Sequence, residues 1–204
     1  MNKPSNINPS VINPSNVKTA ALLFLVLLVS LPCSAFATAR QREHLTDEEI
    51  ELVRDNQELD KRTGVFIKAA ERRLLAVTNP EEASKQSAKD KEKWGEVKGT
   101  RAQLFYDVSK IFDEAVTNVD DAAQHNPDSP LLRKSLYKLS EAAGRVVPQL
   151  TRLREGVQDE AEADQLDRAI QTAQEILEAA KERGVSAEDL KTKDPKSKDG
   201  KKGN

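Results

Sequence analysis

The most strongly amphipathic part of the chain is residues 100–126, TRAQLFYDVSKIFDEAVTNVDDAAQHN. Thr100 and Gln103 have the spacing of a capping box, in which each side chain bonds the backbone N–H of the other residue. Apolar residues then recur at spacings of three and four, which places them on one face of a helix: Leu104, Val108, Ile111, Ala115, Val119 and Ala122. We therefore predict a strongly amphipathic helix that ends before Pro127.

A longer apolar stripe precedes this segment. Its start is marked by a second capping box, Thr46-Asp47-Glu48-Glu49. Apolar side chains recur at helical spacing from Leu52 to Val77, and Pro80 is expected to stop the helix. The sequence thus predicts one helix over about residues 46–78, roughly 45 Å long. Residues 81–98 are charged and Lys-rich, so we expect a loop with at most a solvated helical turn.

Two further helices are predicted after Pro127, over about residues 129–155 and 159–183. So few residues separate the second helix from the third that we expect these two to be antiparallel neighbours. Pro148 interrupts the third helix, and its ring crowds the carbonyl of Gly144 four residues earlier. A kink at Gly144 and Pro148 is therefore expected.

The four stripes predict an all-α fold, with a helical domain over residues 45–185. The economical arrangement is an up-down bundle of four long amphipathic helices, and a less closed pair of helical hairpins is the rival. With 32% charged and only 4% aromatic residues, the core must be aliphatic and rich in alanine, as in coiled-coil-like bundles. Residues 186–204 are Lys-rich, so we expect a disordered tail.

The N-terminal region predicts export. Residues 1–37 have the organisation of a signal peptide: a basic start, an apolar run and small residues before a cleavage site. Two cleavage positions fit, one after Ala37 and one after Ala39. We therefore expect a mature chain in the periplasm or outside the cell.

Two alternatives to cleavage remain open. Residues 17–39 are just long enough to act as an uncleaved membrane anchor, and Cys33 is a candidate for lipidation. If cleavage occurs, the only cysteine leaves with the signal, so the mature chain has neither a disulfide nor a catalytic thiol. Contact with a membrane is expected only if the segment is retained.

Charge and motifs exclude several functional classes. The formal net charge of −2 gives no electrostatic footprint for nucleic acid. The sequence contains no Glu-x-x-His, no Cys-x-x-Cys-His and no phosphate-binding glycine loop, and neither His44 nor His125 lies mid-stripe. We therefore predict no catalytic residue, no cofactor and no metal ion.

Two features of the sequence are unusual for a simple bundle. Asn56 and Thr63 interrupt the inner stripe of the first helix, with Asp60 between them. They predict either a buried polar core layer that fixes helix register or a polar ligand pocket. Trp94 is the apolar anchor of the charged connection, and it either plugs an end of the bundle or contacts a partner.

These observations predict an exported, non-enzymatic helical-bundle protein that binds another protein, associates with itself or has a structural role. The alternative is a bundle that binds a small ligand or a metal ion through the polar layer of its first helix.

Overall fold

The described part of the chain is entirely helical, which confirms the all-α prediction. A computed structural model describes residues 43–85 and 87–191, and no strand occurs in these ranges. The predicted signal peptide and the tail beyond residue 191 lie outside them. The α-helices, in chain order, are α1 (Asp47–Asp55), α2 (Leu59–Thr78), α3 (Pro80–Ser84), α4 (Ala88–Trp94), α5 (Arg101–His125), α6 (Pro130–Arg154) and α7 (Glu160–Glu182). A 3-10 helix, Ala187–Lys191, follows α7.

The single helix predicted over residues 46–78 is wrong, because the chain breaks and reverses between α1 and α2. Asn56 ends α1, and both its backbone N and its Nδ2 donate to the carbonyl of Leu52, at 3.2 and 2.7 Å. Glu49 Oε1 then lies 2.5 Å from Arg73 Nη1. In an unbroken helix these residues would be roughly 36 Å apart. α1 therefore folds back along α2.

The charged connection between α2 and α5 contains more helix than its composition suggests. Asn79 caps α3 by accepting from the backbone N–H of Glu82, and Ser87 caps α4 by accepting from that of Asp90. Gly95 ends α4 at a φ of 69°, in the left-handed region. Two short capped helices thus replace the expected loop.

Two pairs of the long helices pack in an antiparallel manner, α2 with α5 and α6 with α7. Cross-helix contacts at both ends of each pair establish the direction: Arg62 with Asn118 and Arg101 with the Val77 carbonyl for the first pair, and Arg154 with Asp167 and Arg133 with the Arg183 carbonyl for the second.

The other two packed pairs, α2 with α6 and α5 with α7, are parallel. Their contacts pair early residues with early residues and late with late: Asp60 with Lys138 and Glu71 with Arg145, and Arg101 with Glu162 and Asp120 with Arg183. Around the core the order is therefore α2, α5, α7, α6.

This order corrects the expectation that the second and third predicted helices are close neighbours. α5 and α6 contact each other less than either contacts α7 or α2, and α2 makes no close backbone contact with α7. The loop of residues 126–129 joins two helices that lie across the core from each other. A short loop fixes where two helix ends meet, but it does not fix that the helices pack side by side.

The shared core is aliphatic, with three phenylalanines at its centre. Phe66, Phe105 and Phe112 are completely buried. Small side chains let the helices approach closely around them. The buried alanines of the long helices are Ala69, Ala70, Ala115, Ala142, Ala143, Ala163, Ala169, Ala173 and Ala180.

The C-terminal segment is ordered further than the sequence predicts. Arg133 donates to the carbonyls of Arg183 and Gly184, at 2.9 and 2.8 Å, and its Nε donates to Asp189 at 2.9 Å. These bonds hold the 3-10 helix against the start of α6. The predicted disorder from residue 186 is therefore wrong as far as Lys191.

The helix α6 continues through Pro148 without a break. Both Pro148 and Gly144 lie on its exposed side, and a Cβ on Gly144 would meet only Leu177 Cδ2, at 4.0 Å. The kink itself stays a prediction.

Candidate functional site

Four charged side chains are buried together where α1 meets α2 and α5, and we call them the buried ion cluster: Glu49, Arg72, Arg73 and Asp107. Glu49 Oε1 forms ion pairs with Nη1 of both arginines, at 2.5 Å in the case of Arg73. Asp107 Oδ2 lies 3.9 Å from Arg73 Nε. Two carboxylates balance two guanidinium groups, so the cluster carries no net charge.

Further guanidinium donors of this cluster go to backbone carbonyls. Arg72 donates to the carbonyls of Trp94 and Gly95, at 2.8 and 2.5 Å, and Arg73 donates to that of His44 at 2.8 Å. Burial lowers the pKa of Arg72, and Glu49 opposes that effect. The cluster therefore clamps the start of α1 and the end of α4 onto α2.

Thr46 and Gly95 complete this clamp. The Thr46 hydroxyl accepts from the backbone N–H of Glu49 at 3.2 Å and donates to the carbonyl of Trp94 at 2.8 Å. A Cβ on Gly95 would lie 2.6 Å from Thr46 Oγ1. Because Gly95 also has a φ of 69°, both space and backbone conformation require glycine here.

The residues predicted to form a polar core layer do not meet in one place. Asn56 is half-buried at the end of α1, where its carbonyl accepts from Arg62 Nε at 3.0 Å. Thr63 is buried and donates to the carbonyl of Leu59, within its own helix, at 2.8 Å. Asp60 is buried and faces α6. Asn56, Asp60 and Thr63 therefore have different hydrogen-bond partners and do not contact one another as a layer.

Asp60 is held by two lysines of α6. Its Oδ2 lies 2.6 Å from Lys134 Nζ and 3.1 Å from Lys138 Nζ, and its carbonyl accepts from Lys138 at 3.0 Å. Burial raises the pKa of Asp60, but the hydrogen bonds and charges of Lys134 and Lys138 more than offset this, so the pKa lies below its ordinary value. Asp60 therefore stays charged and joins α2 to α6.

Trp94 is half-buried at the end of α4. The guanidinium carbon of Arg72 and the Nζ of Lys93 each lie 5.8 Å from the centroid of a Trp94 ring, which is within the range of a cation–π contact. The indole thus covers the buried ion cluster from outside. Its role as a partner contact stays a prediction.

An open groove runs between the parallel helices α5 and α7, and we call it the α5–α7 groove. Its volume is about 410 Å³. Its apolar floor is supplied by α5, α6 and α7: Val116, Val119, Leu136, Leu139, Ile176 and Ala179. Its exposed rim is polar and mostly acidic: Asp113, Thr117, Asp120, Glu175 and Arg183.

The three carboxylates of the rim differ in how closely a cation lies beside them. Asp113 lies 3.4 Å from Lys110 Nζ, and Asp120 lies 3.7 Å from the guanidinium of Arg183. Glu175 accepts from the neutral amide of Gln171 at 2.9 Å. Exposed pairs at these distances are weak and screened by solvent, so the rim keeps a negative character.

The two helices that form the walls of the groove are rich in carboxylates. Over all their sides, α5 and α7 together carry twelve carboxylates against four lysines and arginines. α6, which supplies Leu136 and Leu139 to the floor of the groove, carries six lysines and arginines against one carboxylate. Several cations of α6 pair with acids of its neighbours: Lys134 and Lys138 with Asp60, Arg145 with Glu71, Arg154 with Asp167 and Arg133 with Asp189.

No protein family, curated protein or solved structure matches the chain. Inference about function therefore rests on the side chains themselves. Among the described residues, no three His, Cys, Asp or Glu side chains converge as a metal ion would require. In the same part of the chain, no helix combines enough length and apolar character to cross a membrane.

Sequence reasoning assigned Glu49 only a capping role and singled out neither Arg72 nor Arg73. A signal was available, because Arg73 lies seven residues after Phe66 and thus on the core face of the same helix. A guanidinium on a core face needs a buried anion. The α5–α7 groove had no such signal, because it depends on which helices are neighbours.

Proposed function

We propose that this protein is an exported, non-enzymatic binding protein whose α5–α7 groove holds a segment of another protein. The observation that carries the proposal is the groove itself, where the half-buried apolar side chains of Val116 and Ala179 lie beneath an acidic rim. Apolar surface gains roughly 25 cal/mol for each Å² that is removed from water, so covering this floor favours association.

An up-down bundle of the four long helices is the proposed frame of this groove. The contacts that run α2 and α6 in one direction, and α5 and α7 in the other, support this frame over two separate hairpins. Such a frame presents α5 and α7 side by side as a rigid pair. A binding surface on rigid helices loses little conformational entropy when a partner docks.

Export is proposed from the sequence of residues 1–39 alone. Cleavage after Ala37 or Ala39 would release the helical domain into the periplasm or the medium. The alternative, an anchor over residues 17–39, would leave the chain in the membrane fraction. N-terminal sequencing of the processed protein distinguishes the two.

The buried acids support a non-enzymatic role. Glu49 and Asp60 are each engaged by two cationic side chains. A carboxylate in that position stabilises the fold and is not available to exchange protons with a substrate. The acids on the surface of α5 and α7 are exposed and solvated.

A small ligand is the second candidate for the groove. Its volume of about 410 Å³ falls within the range of small-molecule sites. The residues of the predicted polar layer offer no such location, because they do not meet in one place and Lys134 and Lys138 already engage Asp60. Native mass spectrometry of the purified protein would favour this candidate if a bound molecule is lost on Val116→Asp.

Position-specific photo-crosslinking in the natural host tests the protein-binding proposal. A photoreactive amino acid replaces Thr117, on the groove rim, or Gln149, which is exposed on α6 outside the groove. The proposal predicts an adduct with one defined protein from position 117 and none from position 149. The purified partner should then bind the wild-type protein and bind Val116→Asp at least about tenfold more weakly.

Equal adducts from both positions, or adducts that Val116→Asp leaves unchanged, would contradict the proposal. Val116 is half-buried, so a thermal melt must first show that the variant retains its helical fold.

A further inference from the structure

We infer that the α5–α7 groove takes a basic amphipathic helix, about three turns long, from the partner protein. The inference rests on the proposed function and names the chemistry of the segment that occupies the groove. Three observations carry it: the spacing of the lining residues, the apolar floor and the charge around the rim.

The lining residues have the spacing of a helix-binding groove. On α5 they fall at positions 113, 116, 117, 119 and 120, and on α7 at 172, 175, 176 and 179, with Arg183 directly after the end of α7. Each set follows one side of a continuous helix for about two turns. The eleven steps from 172 to 183 correspond to roughly 16 Å, which matches about three turns of a docked helix.

The floor requires an apolar face on the occupant. Leu136 and Leu139 of α6 form its buried base, and the half-buried Val116 and Ala179 of the two walls supply the apolar surface that an occupant contacts. A third helix that lies along the groove would present residues at spacings of three and four to this floor, which is the helix-in-groove mode of peptide recognition. An extended strand would find no free backbone edge here, because the walls are helices.

The charge requires that the opposite face of the occupant is basic near the rim. Asp113, Asp120 and Glu175 line the opening, and Arg183 is the one cation among the lining residues. The two walls are parallel, so their C-terminal ends add partial negative charge at the end of the groove near Asp120. A long-range field of this sign also speeds the approach of a cationic partner.

The Lys-rich end of the chain itself does not have this chemistry. From Lys191 to Asn204 it contains six lysines and no apolar side chain. Such a segment matches the rim but leaves the floor uncovered. The occupant must combine positive charge with an apolar face, so we assign it to a different protein.

Fluorescence anisotropy with three labelled peptides tests the inference at physiological ionic strength. The first is a fourteen-residue helix of leucine and lysine, with leucine at spacings of three and four. The second replaces every lysine with glutamate, and the third scrambles the first so that no apolar face forms. Binding to the processed wild-type protein is compared with binding to the double variant Asp113→Lys/Glu175→Lys and to the control Glu178→Lys.

Glu178 is a matched control, because it is an exposed glutamate of the same helix that does not line the groove. We expect the leucine–lysine peptide to bind the wild-type protein and Glu178→Lys with similar affinity. The double variant should bind this peptide about tenfold more weakly or worse, and it should now bind the leucine–glutamate peptide. A thermal melt must first show that the double variant retains its helical fold, because an unfolded chain exposes its apolar core and binds leucine-rich peptides without a groove.

Two outcomes would overturn the inference but leave the proposed function standing. One is preferential binding of the leucine–glutamate peptide to the wild-type protein, and the other is equal binding of the scrambled peptide. If none of the three peptides binds while the Thr117 crosslink still yields a partner, the groove is a binding site for another chemistry and the inference is wrong. If the crosslink also fails, both are wrong.

Discussion

Glu49 Oε1 and Arg73 Nη1 lie 2.5 Å apart although their residues are separated by twenty-four positions in the chain. Both side chains are almost completely buried. This contact exists only because the chain reverses between α1 and α2, so the buried ion cluster and the reversal are one structural feature.

Glu49→Gln should lower the free energy of unfolding by about 3–5 kcal/mol, because it leaves two buried guanidinium groups without their shared carboxylate. Urea unfolding followed by circular dichroism measures this change. Glu51→Gln is the matched control on the same helix, since its partner Arg54 is exposed and the loss should stay below about 1 kcal/mol. Equal effects of the two substitutions would show that the ion cluster is not an important source of stability.

The reversal itself predicts a short distance between the ends of α1 and α2. Spin labels at Asp47→Cys and Thr78→Cys, in a processed chain that has no other cysteine, should be less than about 25 Å apart, whereas one continuous helix would separate them by roughly 46 Å. Double electron–electron resonance distinguishes these values. A distance distribution centred at about 46 Å would contradict the reversal and would support a single helix over residues 46–78.

Asp60 predicts a loss of stability in acid. Because its pKa is lower in the folded chain, the unfolded chain binds this proton more readily. The contribution of Asp60 is therefore complete above about pH 4 and disappears as the pH falls through the folded pKa. Unfolding midpoints in urea between about pH 5 and 2 should fall less steeply in Asp60→Asn than in the wild type.

The exposed Asp128→Asn serves as the control for this pH series, since Asp128 lies in the loop between α5 and α6. Identical pH profiles for the wild type and Asp60→Asn would refute the assignment of Asp60 to the α2–α6 contact.

Glycine substitutions should act in opposite directions at two positions. Gly64 lies inside α2 with open space where a Cβ would sit, so Gly64→Ala should raise the free energy of unfolding by roughly 0.5–1 kcal/mol. Gly95→Ala should lower it by more than about 1 kcal/mol, because φ is 69° and the added carbon meets Thr46. Thermal melts of both variants measure the two shifts, and a stabilising Gly95→Ala would exclude the described turn.

The helices with clear caps were the most predictable part of the fold. Spans predicted over residues 100–126, 129–155 and 159–183 correspond to Arg101–His125, Pro130–Arg154 and Glu160–Glu182. Their starts are fixed by local chemistry, since the side chains of Thr100, Ser129 and Asp159 each accept from the first turn of their helix. Local hydrogen bonds of this kind are visible in the sequence.

The reversal after α1 was not predictable from hydrophobic spacing alone. Leu52, Leu59 and Phe66 are spaced by seven, so the stripe continues in register across the break. The available signal was the run of five polar residues from Arg54 to Glu58, which leaves more than one turn without a core residue. Only tertiary contacts, above all those of Glu49, determine that the chain turns back there.

The candidate site was the least predictable part. Val119 lies on the apolar stripe predicted for residues 100–126, but nothing in the sequence places it and Ile176 on one groove. That depends on α5 and α7 being parallel neighbours, which no local signal encodes. The pairing of Asp60 with Lys134 and Lys138 is non-local for the same reason.

Light-scattering mass of the processed chain, from residue 38 onward and over a wide range of concentrations, shows whether the helical domain is complete in one chain. We propose that the long helices close around one core within a single chain and leave the α5–α7 groove open for a different protein. We therefore expect the mass of one chain at every concentration, with unchanged helicity. A dimer or larger assembly that loses helicity as it dissociates would contradict it, because the helices would then complete their core only between chains.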